Sequence, residues 1–261
     1  PEVGRLTVRA VKIYADGALG SRGAALHEDY ADDPGNRGLF LTPPALLGEK
    51  VRAVVQAGFQ PAVHAIGDRG ISETIAAIEG AGDRAAVRAL RPRIEHLQIL
   101  RLSEAPRIAA AGIVASMQPS HATSDAPWVP ARLGARTPRL AGAYAWRSVV
   151  RAGVPLAFGS DFPIESPDVR LGLFAAETRL ASGASAPFLP DERLGRDEAL
   201  RAFTSGAAYA AFAEGRRGMI REGYDADLTA FAGDLLATPA SALPRLAVTH
   251  TIVGGRLELE Q

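Results

Sequence analysis

Lys12 is one of only two lysines among the 29 basic residues of this 261-residue sequence. An exposed ion pair would be served equally well by arginine. A lysine at this position therefore indicates chemistry that needs an amine able to lose its proton, which a guanidinium cannot do. The amine could act as a Schiff-base nucleophile, or it could react with CO₂ to form a carbamate able to bridge two metal ions.

Four further ionisable residues occupy equivalent places, at the end of a predicted strand or just after it. They are His64, His96, His121 and Asp161. Because the carboxyl ends of parallel strands meet at one edge of a sheet, we expect these side chains to converge there. Each has an ordinary alternative when taken alone, such as a structural histidine or, for Asp161, a helix cap. Their joint placement favours a site for Zn²⁺ or a similar divalent ion, which neutral imidazoles and a carboxylate suit.

Short apolar runs alternate with helical patterns over most of the chain. The sequence predicts five strands, each followed by a helix, at residues 6–16, 59–67, 92–100, 113–119 and 154–161. The strands are apolar along their length, which is typical of parallel strands covered on both faces in βαβ units. Ser103 is predicted to cap a helix. The proline-rich residues 125–140 are predicted to form a site or lid loop.

The pattern changes near Gly215, where short strand patterns around glycine turns replace the alternation. We therefore predict two domains, a catalytic α/β domain over residues 1–214 and a small β segment over residues 215–261.

Composition excludes several classes of protein. The formal net charge is zero, so a nucleic-acid partner is not expected. The absence of cysteine excludes disulfides and thiolate metal sites. No apolar run has the length of a membrane span, and the cytoplasm is the default expectation for location.

Five motifs in order resemble the amidohydrolase superfamily, specifically the amidohydrolase 3 (YtcJ-like) family of metal-dependent hydrolases. They are VKIYADGALGSRGAAL, HAIGD, RIEHLQ, SMQPSHATSD and GSDFP. The closing residues resemble the strands that end this family's chains, so the resemblance covers essentially the whole sequence. It implies a (β/α)₈ TIM barrel with a composite β-sandwich. The first strand here matches barrel strand four, so the implied fold is an incomplete barrel, strands four to eight, plus C-terminal strands of the sandwich.

The resemblance also implies roles for single residues. Lys12 matches the carboxylated lysine that bridges the metals, and His64 and His96 match metal ligands. Asp161 matches the aspartate that ligates metal and carries the proton. His121 is implied to lie near the substrate carbonyl, and Arg22 is interpreted as a substrate contact. The implied cofactors are one or two divalent ions, with Zn²⁺ the expected metal, and the carbamate on Lys12.

The implied function is hydrolysis of a non-peptide C–N bond in a small amide or cyclic amide by metal-activated water. The family also carries a His-x-His motif on its first barrel strand, and this sequence contains none. Two alternatives therefore stay open. The chain could be a truncated piece with only structural or association properties, or a barrel lyase using Lys12 as a Schiff-base nucleophile. Unpaired sheet edges would favour association, including a homo-oligomer.

Overall fold

The described residues include a five-stranded parallel sheet. The computed structural model describes residues 2–3 and 6–260. A short antiparallel pair, Glu2–Val3 (β1) and Leu6–Thr7 (β2), comes first. The main sheet consists of Ala10–Tyr14 (β3), Gln60–Ala65 (β4), Arg93–His96 (β5), Val114–Met117 (β6) and Leu156–Phe158 (β7). These strands lie side by side in chain order, which confirms the predicted parallel sheet.

Helices connect these strands, because a parallel pair needs a crossover between its members. The helices are Pro44–Gln56 (α1), Asp68–Glu79 (α2), Arg84–Ala89 (α3), Ala105–Ala111 (α4), Pro119–Asp125 (α5), Val129–Leu133 (α6), Pro138–Ala141 (α7), Trp146–Arg151 (α8), Val169–Thr178 (α9), Arg196–Arg201 (α10) and Ala207–Ala210 (α11). Within residues 2–3 and 6–260, none of them combines the length and the apolar character that a bilayer crossing requires.

The apolar periodicity of α2 explains how this helix packs. Ile71, Ile75 and Ile78 recur at helical spacing and are fully buried. On the neighbouring helix α1, Leu47 and Val51 are buried in the same way. Strand β4 lies under these helices and is buried at every position, so the continuous apolar run there is a central strand.

Three local predictions are wrong. The predicted strand 6–16 is divided between β2 and β3. Ser103 is not a cap: it lies inside a 3₁₀ turn, Leu102–Glu104, and no side chain caps α4. Residues 125–140 are not a continuous loop, because they contain α6 and α7. A proline occupies the first turn of each of these helices, where the missing N–H costs nothing.

The chain divides into two compact units. The first comprises Pro1–Met117 and Asp125–Leu156, and the second comprises Gln118–Ser124 and Ala157–Gln261. The second unit contains a three-stranded antiparallel sheet of Leu228–Phe231 (β8), Val248–Val253 (β9) and Arg256–Glu260 (β10), with β9 in the middle. The predicted boundary at residues 214 and 215 falls inside this unit and stays a prediction, as do the β-sandwich and the barrel.

Candidate metal and catalytic residues

Three predicted site residues of the first unit lie on adjacent strands of the sheet. Tyr14 of β3 stands opposite His64 of β4, and Ala65 of β4 stands opposite His96 of β5. Lys12 precedes Tyr14 by two residues, so Lys12 shares a face of the sheet with Tyr14 and His64. His96 lies one register position beyond His64, at the end of β5, where its backbone leaves the extended conformation with a φ of 76°.

The two imidazoles of this group are close neighbours. The ring centroids of His64 and His96 lie 4.6 Å apart, with an angle of 69° between the ring planes. Both histidines are buried. The Tyr14 ring lies 5.1 Å from the His64 ring, and Lys12 Nζ lies 4.9 Å from the centre of the Tyr14 ring. Tyr14 thus connects the lysine to the histidine pair.

The two rings of the histidine pair are close enough for one ion to reach a nitrogen of each. An imidazole nitrogen binds Zn²⁺ at about 2.0–2.1 Å, so two such nitrogens on one ion lie roughly 3–3.5 Å apart. Ring centroids 4.6 Å apart fit that spacing. In the described part of the chain, no group of three or more His, Asp or Glu side chains is placed to hold a metal. A complete ligand set would thus need a further group, and a carbamate on Lys12 would supply oxygen ligands.

Asp16 is a buried carboxylate whose importance the sequence analysis did not recognise. Its side chain accepts hydrogen bonds from the backbone N–H groups of Ala25 (2.8 Å), Ile66 (3.0 Å) and Gly67 (2.8 Å). Burial raises the pKa of Asp16 to about 7, and the three N–H donors act in the opposite direction. The sequence signal that could have identified Asp16 is its position, at the end of a predicted strand. An aspartate that is buried there must accept hydrogen bonds from nearby donors.

His121 and Asp161 both belong to the second unit. His121 lies in helix α5, which follows β6, and it is buried. Burial lowers the pKa of His121, against the opposing effect of the carboxylates of Asp161 and Glu165. Asp161 follows β7 and is exposed. Ser124 Oγ donates a hydrogen bond of 2.6 Å to Glu165. This bond joins helix α5 to the segment after Asp161.

Three of the predicted site residues have left-handed backbone conformations. The φ angles are 57° for Arg22, 76° for His96 and 58° for Asp161. Such conformations are uncommon outside glycine, and they persist where the surrounding structure determines them. They are concentrated at functional sites in proteins, which agrees with the placement of His96 at the end of β5 and of Asp161 in the segment after β7.

Arg22 is engaged by an acidic partner. Its guanidinium donates two hydrogen bonds to the Asp32 carboxylate, at 3.1 and 3.0 Å. Arg132 of α6 also pairs with Asp32, which ties the loop after β3 to that helix. The arginine hydrogen bonds lower the pKa of Asp32. The geometry gives Arg22 a part in organising this loop, and its contact with substrate stays a prediction.

Comparison with known proteins places these residues in a family. The sequence model of the amidohydrolase family matches residues 1–257. YtcJ of Bacillus subtilis is 37% identical over 254 residues, which is 97% of this chain and 47% of YtcJ. The N-substituted formamide deformylase of Arthrobacter pascens is 28% identical, over 100% of this chain and 47% of the deformylase. The chain thus spans about half the length of these relatives.

A solved structure agrees with the sequence comparisons. The crystal structure of an uncharacterized metal-dependent hydrolase from Pyrococcus horikoshii matches with a TM-score of 0.80 and 28% identity, over 92% of this chain and 47% of that chain. A family match over almost the whole sequence, together with this structural agreement, decides the classification. The chain belongs to the amidohydrolase family.

Proposed function

We propose that the protein is a metal-dependent hydrolase that cleaves a C–N bond, other than a peptide bond, in a small amide or cyclic amide. The observation that carries the proposal is the pair of buried imidazoles of His64 and His96, 4.6 Å apart at the ends of adjacent strands. Family membership and the likeness to the Pyrococcus hydrolase support the requirement for a metal.

The substrate class has support from one relative. The Arthrobacter protein is named as a deformylase of N-substituted formamides, and it is 28% identical over 100% of this chain and 47% of the deformylase. A formamide presents a carbonyl bonded to nitrogen, as do the amides and cyclic amides of the proposal. A small-molecule substrate with that group is therefore the class to examine first.

His64, His96 and a carbamate on Lys12 would hold the metal. A divalent ion in such a site supplies water activated at neutral pH and polarises a carbonyl group. The expected metal is Zn²⁺, because imidazole and carboxylate-type oxygens are ligands that it accepts. This role would explain why position 12 is a lysine, because arginine forms no such carbamate.

Protein groups would handle the proton and the developing charge. A carboxylate oxygen of Asp161 accepts the proton of the attacking water and returns it to the leaving nitrogen. Burial lowers the pKa of His121, so its imidazole is neutral near pH 7. A ring N–H of His121 would donate a hydrogen bond to the substrate carbonyl oxygen as negative charge develops there.

The test uses the protein at its full natural length. The protein is freed of metal with a chelator, and release of amine from N-formyl, N-acyl and cyclic amide compounds is measured before and after addition of Zn²⁺. We expect hydrolysis that is lost with the metal and restored by it. Hydrolysis of the same compounds at an equal rate without metal, or none by the metal-loaded and folded protein, would contradict the proposal.

A further inference from the structure

The carboxylate of Asp16 occupies a fixed position at the ends of two strands. It is fully buried, and its two oxygens accept three backbone hydrogen bonds, from Ala25, Ile66 and Gly67. A Cβ added to Gly70 would lie 2.5 Å from Asp16 Oδ2, so a side chain at position 70 would displace the carboxylate. Asp16 therefore joins the loop after β3 to the turn after β4 and has little freedom to rotate.

This fixed carboxylate faces the imidazole of His64. Asp16 Oδ1 lies 3.8 Å from His64 Nε2, and the nitrogen is buried. The backbone brings the two residues together, because the N–H of Ala15 donates to the carbonyl oxygen of His64 at 2.9 Å. A movement of less than about 1 Å would bring Nε2 and Oδ1 to the usual N–H···O distance of about 2.9–3.0 Å.

We infer that Asp16 is a positioning residue for His64, which holds the imidazole hydrogen on Nε2 and so directs the lone pair of Nδ1 toward the metal. The inference rests on the proposed function in one respect, that His64 binds a metal. A carboxylate that accepts the second ring N–H fixes both the tautomer and the orientation of a ligating histidine.

The type of residue at position 16 agrees with this role. An ionised carboxylate accepts on both oxygens, so it can receive the three backbone N–H groups and a fourth from His64. An asparagine of the same shape would present an NH₂ group to at least one of those donors. The tautomer of His64 is therefore the property that tests this role of Asp16.

The first measurement needs no variant of Asp16. The ring nitrogens of ¹⁵N-labelled histidine are observed by NMR in the metal-free protein, and the signals of His64 are assigned by their absence in His64→Gln. We expect the Nε2–H tautomer at His64 at alkaline pH, where the carboxylate of Asp16 is ionised. A dominant Nδ1–H tautomer would overturn the inference, whatever the protein does with metals.

The second measurement uses Asp16→Asn, with Asp83→Asn as the matched control. Asp83 also accepts a backbone hydrogen bond, from Ala86 at 3.0 Å, but it caps helix α3. In the folded variants, checked by thermal unfolding, we expect Asp16→Asn to mix the tautomers of His64 and to weaken Zn²⁺ binding about 10–100-fold. Asp83→Asn should change neither.

Failures of the two proposals can be told apart. If Asp16→Asn folds and keeps both the tautomer and the Zn²⁺ affinity of the wild type, the positioning role is wrong and the hydrolase proposal is unaffected. If the wild type binds no divalent ion, the hydrolase proposal fails, and the tautomer still decides what Asp16 does to His64. If Asp16→Asn does not fold, the wild-type tautomer decides alone.

Discussion

Gly67 packs so closely on Ala25 that a Cβ added to the glycine would lie 2.1 Å from the Ala25 carbonyl oxygen. The same oxygen accepts a hydrogen bond of 3.0 Å from the N–H of Arg69 at the start of α2. The φ of Gly67 is −74°, which any residue can adopt. The close contact with Ala25 is therefore the reason for a glycine at this position, and it keeps the turn after His64 against the loop after β3.

Gly67→Ala is expected to lower the free energy of unfolding by about 1–3 kcal/mol, the usual cost of overpacking. The matched control is Gly48→Ala in α1, because a Cβ at Gly48 meets nothing within 4 Å. That change should stabilise the protein by about 0.5–1 kcal/mol through helix propensity. Urea unfolding measures both. Equal stability of Gly67→Ala and wild type would show that the loop moves aside at little cost.

The stability contributed by Asp168 should depend on pH in a defined direction. Asp168 caps α9 by accepting from Arg170 N, and its carboxylate lies 2.7 Å from the Arg170 guanidinium. These bonds lower the pKa of Asp168 below its ordinary value of 3.8. Because the folded-state pKa is the lower one, the stabilisation is present above about pH 4 and is lost as pH falls through the folded-state pKa.

We expect Asp168→Asn to lower the free energy of unfolding by about 0.5–1 kcal/mol at neutral pH, the range for a partly exposed ion pair. The difference from wild type should shrink at about pH 3 and below. Asp191→Asn, at an exposed position, serves as the control. Urea unfolding at the two pH values gives the comparison, and a difference that stays constant with pH would refute the ion-pair account.

Lys12→Arg should abolish the proposed hydrolysis without unfolding the protein. The variant keeps the positive charge at an exposed position, but a guanidinium forms no carbamate. Removal of a metal ligand should reduce activity on the order of 100-fold or more, beyond the ~10–100-fold typical of an outer-shell partner. Lys50→Arg, at the other lysine of the sequence, should retain full activity.

The same lysine separates the hydrolase from the Schiff-base alternative. A lyase would also lose activity in Lys12→Arg, so activity alone does not decide between them. Borohydride trapping of a carbonyl compound on Lys12 in the wild type would support the lyase and count against the carbamate. Full activity of Lys12→Arg would remove Lys12 from both mechanisms.

Asp161→Asn tests the proton-transfer step. The amide keeps the shape of the side chain but no longer accepts a proton, so kcat should fall by about 10²–10⁴. The control is Glu165→Gln, which changes the carboxylate that accepts a hydrogen bond from Ser124. The kcat of this variant should stay within a few-fold of the wild-type kcat. Metal content is measured in each variant. Wild-type kcat in Asp161→Asn at full metal occupancy would exclude Asp161 as the proton carrier.

The parts of the structure that were predicted from sequence depend on local periodicity. The apolar run at residues 60–65 and the isoleucine spacing in α2 identify a buried strand and the helix after it, which places His64 at a strand end. Since neighbouring parallel strands end together, His96 beside His64 follows from the same argument. These features can be predicted without knowing which distant segments contact each other.

The parts that were missed depend on contacts between segments far apart in sequence. Asp16 is bonded to Ile66 and Gly67, about 50 residues away, and no local pattern reports such a contact. The pairing of Arg132 with Asp32 likewise joins residues 100 positions apart. Prolines misled the interpretation of residues 125–140, because they begin the helices α6 and α7 as well as marking turns.

Binding of Zn²⁺ to the metal-free protein at its full natural length, followed by isothermal titration calorimetry, tests the central claim most directly. The account predicts that the wild type binds the ion and that His64→Asn and His96→Asn each weaken binding severely. His250→Asn, in β9 of the second unit, should bind as the wild type does. Absence of binding by the folded wild type, or affinity unchanged in both His64→Asn and His96→Asn, would contradict the account.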